Sequence, residues 1–252
     1  MSEPSDQASR WDAWADDDDA LFGVPDPHHA ATFLSDLAGS GPVLDLGAGT
    51  GRVATAIASH GIPVTALDIS PAMVRRLKEV AGELPIDTVI GDMAEPPVDG
   101  PYSLVYTTHS TIFSLLTQTR QVACFASAAR VLTPNGCFVI DAFIPSGRTT
   151  PSGLAVRALS AAHVDLSITV HDPLHQRMTF QEVRLSNGNL RLLPIEIRYA
   201  APSELDLMAG MAGMALVARY ANWDRAELAR GSQRHVSVYK LSGLSLKNRG
   251  TR

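Results

Sequence analysis

Nine residues, Val43-Leu44-Asp45-Leu46-Gly47-Ala48-Gly49-Thr50-Gly51, carry the most legible chemistry in the chain. A short apolar run holding one acid, Asp45, passes into three alternating glycines. Without side chains, Gly47, Gly49 and Gly51 let a ligand approach the backbone closely. A strand, a glycine turn and the start of a helix make a nucleotide-type cradle. Seventeen residues after Gly51, a second apolar run, Val64-Thr65-Ala66-Leu67, ends on Asp68. An acid at that strand tip suits a ribose diol, because both hydroxyls can donate to one carboxylate. A dinucleotide fingerprint would need a third glycine where Arg52 stands, and a P-loop would need Gly-Lys-Ser/Thr, which is absent. A ligand with a ribose and no phosphate requirement fits best.

The elements that must hold these residues follow from periodicity. Strand 43–47 leads to helix 51–60, with Gly61 as its C-cap, and strand 63–68 leads to helix 71–82, with Ser70 as N-cap and Pro71 in the first turn. Strands over 87–90 and 102–107, a helix near 118–132, a turn at Thr133-Pro134-Asn135-Gly136 and a strand over 137–143 continue the alternation. Such β-α-β order predicts a doubly wound parallel α/β sheet. After residue 145 the pattern changes. Runs over 164–170, 176–185 and 190–200 alternate apolar and polar residues around the hairpin signal Ser186-Asn187-Gly188-Asn189, which predicts about three antiparallel strands inserted after the fifth strand. A helix over 202–212 and two closing strands, 215–220 and 235–241, complete the chain. The division is a disordered segment 1–10, a helical lid 11–40, an α/β core 41–145, a β cap 146–200, the rest of the core 201–243 and a tail 244–252.

The chain has 252 residues and a net charge of −5, with no Lys/Arg cluster larger than a pair. That disfavours a nucleic-acid partner, and no apolar run is long enough to span a bilayer. The polar, acidic N-terminus lacks the features of a signal peptide, so a cytoplasmic location is expected. Cys124 and Cys137 lie in apolar stretches without metal-ligand spacing and read as reduced core thiols. Asp16 to Asp19 read as a solvated run, and no metal is expected.

Val43 to Arg52, Ala66-Leu67-Asp68-Ile69-Ser70-Pro71-Ala72-Met73, Gly91-Asp92-Met93 and Leu132 to Phe138 together resemble the class I S-adenosylmethionine (SAM)-dependent methyltransferases, over residues 10 to 241. The resemblance is to the small-molecule branch common in natural-product pathways. It implies a seven-stranded Rossmann-like sheet with a β insertion over the substrate. It also implies SAM as cofactor, S-adenosylhomocysteine as product, and methyl transfer to an O, N or C atom of a small molecule. A SAM-binding cyclase or other rearrangement enzyme that no longer transfers methyl groups is the alternative. The exposed-looking hairpin allows a homodimer.

Position by position, the resemblance puts Asp45, Gly47, Ala48, Gly49 and Gly51 at the methionine end of SAM. Asp68 takes the ribose, with Ile69 and Met73 against the adenine. Gly91, Asp92 and Met93 hold the adenine amino group and its flank, and Thr107 and its followers stand beside the sulfonium. Arg52 either binds the SAM carboxylate or faces solvent. Where relatives often carry Asn after the fourth strand, this chain has His109, which could act as a general base, bond the SAM amino acid or fill the Asn site. Trp11, Trp14, Phe22, Phe113 and Tyr199 are candidates for the substrate wall, with Arg198 for an anionic group. His171 and His175 are lesser base candidates, and His28 and His29 begin a helix near the mouth. Asp141, near the end of the fifth strand, has no companion acids for a metal and is equally explained as support for the loop.

Overall fold

The computed structural model describes residues 4–15, 26–145 and 152–243. At its centre is β1 (Val43–Leu46), buried along its whole length. On one side lie β2 (Val64–Asp68) and β3 (Ile86–Ile90), on the other β4 (Tyr102–Thr107) and β5 (Leu132–Phe143), all parallel. The sheet closes with antiparallel β11 (Arg234–Leu241) and edge strand β10 (Met214–Tyr220), giving the order β10-β11-β5-β4-β1-β2-β3. The strand order reverses at β1, and a crevice opens beyond the carboxyl ends of β1 and β4, where open α/β sheets bind ligands.

Helices cover both faces, so the parallel strands are apolar rather than alternating. One core joins Leu46, Phe125, Phe138 and Tyr239 under α5 (Gln118–Val131) and α6 (Pro202–Met211). The other joins Val43, Leu34, Ile57 and Leu77 under α2 (His28–Ala38), α3 (Arg52–Ala58) and α4 (Pro71–Ala81). Local chemistry sets the starts of the helices that matter for the crevice. Gly51 takes φ +85° and opens α3. Ser70 Oγ accepts from the Met73 N–H at 3.0 Å, with Pro71 at the first position of α4.

The cap is a separate sheet in the order β6 (Gly153–Leu159), β7 (His163–Asp172), β8 (Arg177–Ser186), β9 (Asn189–Arg198), antiparallel throughout. It has four strands rather than three. A register shift between Val156 and Ala158 puts Arg157 out of step and breaks the alternation that would have revealed β6. Two further differences concern local order. The tetrad Thr133–Gly136 is a bulge inside β5, whose partners step from Tyr102↔Leu132 to Leu104↔Cys137. Residues 4–10, within the segment expected to be disordered, belong to α1 (Pro4–Asp12), whose Gln7, Arg10 and Asp12 bond to the rest of the fold. Among the described residues no helix is long and apolar enough to cross a membrane.

Candidate active site

A cavity of about 520 Å³ opens at the carboxyl ends of β1, β2 and β4. Gly47, Ala48, Gly49, Arg52, Ile69, Met73, Gly91 and Met93 line it together with three carboxylates, Asp45, Asp68 and Asp92. Gly47 sits at φ +79°, and a Cβ there would lie 2.3 Å from Thr111 Cγ2, so both conformation and space require glycine.

Each carboxylate is anchored differently. Asp68 receives the Gly49 N–H at 2.8 Å on Oδ2 and the Ser70 N–H at 2.9 Å on Oδ1, which aims it across the mouth of the glycine turn. Burial raises its pKa against those two donors. Asp45 is buried and receives the Tyr106 hydroxyl at 2.7 Å. Burial, aided by the charge of Asp68 and opposed by the Tyr106 bond, lifts it to about 7. Asp92 accepts from the Ala94 N–H at 2.9 Å and pairs with Arg120 on α5. Three strand-end carboxylates around a glycine turn suit a ligand rich in donors, with a ribose, an amino group and an ammonium. The residues present therefore fit SAM.

The rest of the lining includes residues far apart in sequence: Gln7, Trp11, Thr108, His109, Asp141, Trp223 and Arg234. His109 and Ser110 both take left-handed backbone angles, φ +53° and +65°, an unfavourable pairing for residues with side chains. Asp141, at the end of β5, holds that turn. Its Oδ2 accepts the His109 N–H at 2.9 Å, its carbonyl accepts the Ser110 N–H at 2.9 Å, and Arg234 grips its carboxylate through Nη2 at 2.8 Å and Nε at 3.2 Å. His109 Nδ1 lies 3.0 Å from Thr108 Oγ1, so Nε2 is the ring nitrogen that Thr108 leaves unengaged. The ring is open to the cavity yet walled by protein. Burial lowers its pKa, helped by Arg52 and Arg234 and opposed by Asp141, and the imidazole is neutral at pH 7.

Helix α1 lies along the side of the cavity. Asp12 Oδ1 accepts from the Ala72 N–H at 3.0 Å and from the Ser70 hydroxyl, tying α1 to the start of α4. Gln7 donates to Ser114 at 3.2 Å. On its far side α1 meets the cap: Arg10 pairs with Glu196 at 3.0 Å and the Trp14 indole donates to the Pro194 carbonyl at 3.3 Å.

Several residues expected at the site lie elsewhere. Thr107 is wholly buried, and Thr108 takes the wall position. Gly51 packs on α4, where a Cβ would lie 2.5 Å from Leu77 Cγ. Trp14 is buried with Met73 and Leu193 beneath the lid, and Phe113 packs edge-on against Phe143 at 5.1 Å. Arg198 is buried in a polar cluster, donating to Gln121, Gln176 and Glu204 at 2.7 Å each. The Tyr199 hydroxyl is 2.9 Å from His171 Nε2, within the cap. No residue of β6–β9 lines the cavity, so the cap serves it by holding α1 rather than by forming its wall. Phe22 lies outside the described residues. Of the expected wall residues, Trp11 lines the cavity. His175 pairs with Asp172 on the cap, and His29 with Asp224. Arg234, Trp223 and Gln7 were not foreseen, since nothing in the sequence links a residue of the last strand, a loop aromatic and an N-terminal amide to one cavity. Asp141 supports the loop, and among the described residues no cluster of His, Cys, Asp and Glu could hold a metal.

Comparison with known proteins agrees with this geometry. A methyltransferase-domain family model matches residues 43–136. The CcbJ methyltransferase from Streptomyces caelestis has a solved structure that superposes with a TM-score of 0.89 at 37% identity, covering 94% of this chain and 99% of that one. The cypemycin N-terminal methyltransferase from Streptomyces sp is 27% identical over 175 residues, 68% of this chain and 71% of the relative. CalS10, an amino pentose methyltransferase from Micromonospora echinaspora solved with SAM bound, shares the fold at a TM-score of 0.67 and 17% identity, covering 94% and 97% of the two chains. From its glycine turn to its closing strands, the chain belongs to the SAM-dependent methyltransferases and is an enzyme of that family.

Proposed function

We propose that this methyltransferase modifies a small molecule of a natural-product pathway in the cytoplasm, with an amine nitrogen as the acceptor. The observation that carries the reading is His109 on the cavity wall, its N–H held by Asp141 and its Nε2 unengaged by Thr108, with burial disfavouring the charged imidazole. An amine reaches the enzyme protonated and must lose that proton before its lone pair can attack. His109 Nε2 takes the proton and later returns it to water. The relatives whose names specify an acceptor, a peptide N-terminus and an amino pentose, also point to amines.

SAM, when bound, supplies an electrophilic methyl group on a sulfonium. In this reading Asp68 accepts from the ribose hydroxyls, Asp92 from the adenine amino group, and Asp45 with the carbonyls of the glycine turn from the ammonium. Ile69, Met73 and Met93 pack against the adenine. Arg52, which lines the cavity, would meet the carboxylate. Gln7, Trp11 and Trp223 exclude water on the acceptor side. Orientation is the main contribution, and holding reactants in line can lower a barrier by roughly 7–11 kcal/mol. The test is mass spectrometry of products from SAM with a panel of small amines, phenols and enolisable compounds. Methylated amines with S-adenosylhomocysteine are expected. Turnover of phenols or carbon acids with none of amines overturns the acceptor assignment.

A further inference from the structure

Two arginines line the cavity, Arg52 and Arg234, and with His109 they are its basic side chains. In the reading above Arg52 meets the carboxylate of SAM, which leaves Arg234 for the acceptor. A guanidinium carries five N–H donors, arranged on forked edges. Asp141 takes the side edge of Arg234, through Nε at 3.2 Å and Nη2 at 2.8 Å. The end edge, Nη1 with the second hydrogen of Nη2, has no partner among the described residues, and the side chain is 44% exposed where it borders the cavity. Two arginines that serve the fold alone are closed off. Arg198, 9% exposed, spends both Nη atoms on Gln121, Gln176 and Glu204. Arg219, 14% exposed, spends all three nitrogens on Ser237, Asp206, Tyr239 and the Pro202 carbonyl. Arg234 differs from both in keeping a fork open at the site.

We propose that Arg234 binds a carboxylate of the acceptor, so that the substrate is an amino acid or a larger amino-acid derivative with a free carboxyl group near its amine. A carboxylate fits the end edge through two parallel N–H···O bonds, a geometry that a lysine ammonium does not offer. Asp141 already holds the guanidinium in place, so little side-chain freedom is lost when the ligand arrives. The arrangement also sets where the carboxylate lies. Asp141 Oδ2 accepts from Arg234 Nη2 and, at 2.9 Å, from the His109 N–H. The proton-accepting ring and the anion-binding edge are therefore mounted on one buried group. An acceptor that spans them carries its nitrogen and its carboxylate a few bonds apart. The amine half of this assignment rests on the reading of His109 above, and the carboxylate half stands on Arg234 alone.

The test uses matched compounds with and without the carboxyl group: proline and pyrrolidine, phenylalanine and phenethylamine, and, with oxygen as acceptor, 3-hydroxybenzoate and phenol. kcat/KM with SAM is measured for each on the full-length wild type, Arg234→Gln and Arg234→Lys, with S-adenosylhomocysteine affinity confirming that each variant is folded. The wild type should prefer the carboxylated member about tenfold or more, chiefly through KM, as a hydrogen bond to a charged group implies. Arg234→Gln should abolish the preference. Arg234→Lys, which keeps the charge and loses the fork, should keep only part of it, and it decides the matter if Arg234→Gln fails to fold. The ratio within a pair is the readout, because any loss of His109 positioning through Asp141 lowers both members alike. Equal turnover within the pairs, or a preference that Arg234→Gln retains, overturns the proposal. Where turnover is too slow to follow, the same pairs are titrated by calorimetry into enzyme saturated with S-adenosylhomocysteine, and failure of every carboxylated compound to bind at millimolar concentration overturns it too. Turnover confined to the phenols, with 3-hydroxybenzoate still favoured, overturns the amine acceptor and leaves the carboxylate subsite standing.

Discussion

Two groups of residues lining the cavity are held by different means. At the glycine turn, Asp68 and Asp92 are fixed by backbone N–H groups of residues at most 19 positions away, all on consecutive strand ends. Elsewhere in the lining, His109 is set by a carboxylate from β5, itself gripped by an arginine from β11, and shares the cavity with residues from α1 and the β10–β11 loop. Backbone-held acids suit a constant ligand, because substitution of neighbouring side chains leaves them in place. Side chains brought from distant segments suit a variable partner, since each can change without disturbing the sheet. The first group therefore reads as the cofactor half and the second as the acceptor half.

The separation has measurable consequences. The largest is expected at Asp68. Asp68→Asn removes the charge for the ribose hydroxyls and leaves an amide facing the Gly49 and Ser70 donors. Hydrogen bonds to a charged group are worth about 1.5–3 kcal/mol each, and two ribose hydroxyls would lose theirs, so affinity for S-adenosylhomocysteine should fall several hundred-fold by calorimetry. Binding within tenfold of the wild type would show that the cofactor half does not depend on this carboxylate. His109→Asn comes next. Loss of a general base typically costs about 10²-fold or more in kcat. Because the folded pKa of His109 lies below 6.5, the wild-type rate should fall as pH drops below that range, and the variant should lose this acid limb while binding S-adenosylhomocysteine normally. An unchanged profile removes His109 from proton transfer.

The same contrast explains what could be read in the sequence. The glycine turn, Asp68 and the Ser70 cap are local signals, and their spacing along one chain segment already encodes their geometry. Gln7, Trp223 and Arg234 converge only through the closed sheet, which no spacing records. The helix α1 escaped notice because it docks through Gln7, Arg10 and Asp12, polar contacts invisible to hydrophobic periodicity. Arg198 and Tyr199 showed the opposite failure. Their types suggested binding, but burial where the cap meets α5 and α6 gave them structural partners.

A smaller effect tests how the acceptor half is held. Asp141→Asn weakens the Arg234 grip and the bond to the His109 N–H, so the strained turn over His109 and Ser110 should relax. The expected loss in kcat is about tenfold, with S-adenosylhomocysteine affinity within threefold and the acid limb shifted rather than abolished. An equal loss of cofactor affinity would mean the two halves are mechanically coupled through β4 and β5.

The smallest expected effect concerns Asp45, where the cofactor half responds to pH. Its folded pKa, raised to about 7 from 3.8, means the ligand-free protein holds a proton that the unfolded chain has released across that window. Stability of the ligand-free enzyme should therefore fall as pH rises from about 4 to 7, and be flat in this contribution above it. A cationic ammonium beside Asp45 needs the ionised form, so binding should expel the proton. Affinity for S-adenosylhomocysteine should then rise about fivefold between pH 6 and pH 7, as the competent fraction grows. Calorimetry in buffers of different ionisation heat should register proton release, and Asp45→Asn should erase both the release and the pH dependence. Flat affinity across this range would place the ammonium on the backbone carbonyls alone, leaving Asp45 as a buried partner of Tyr106.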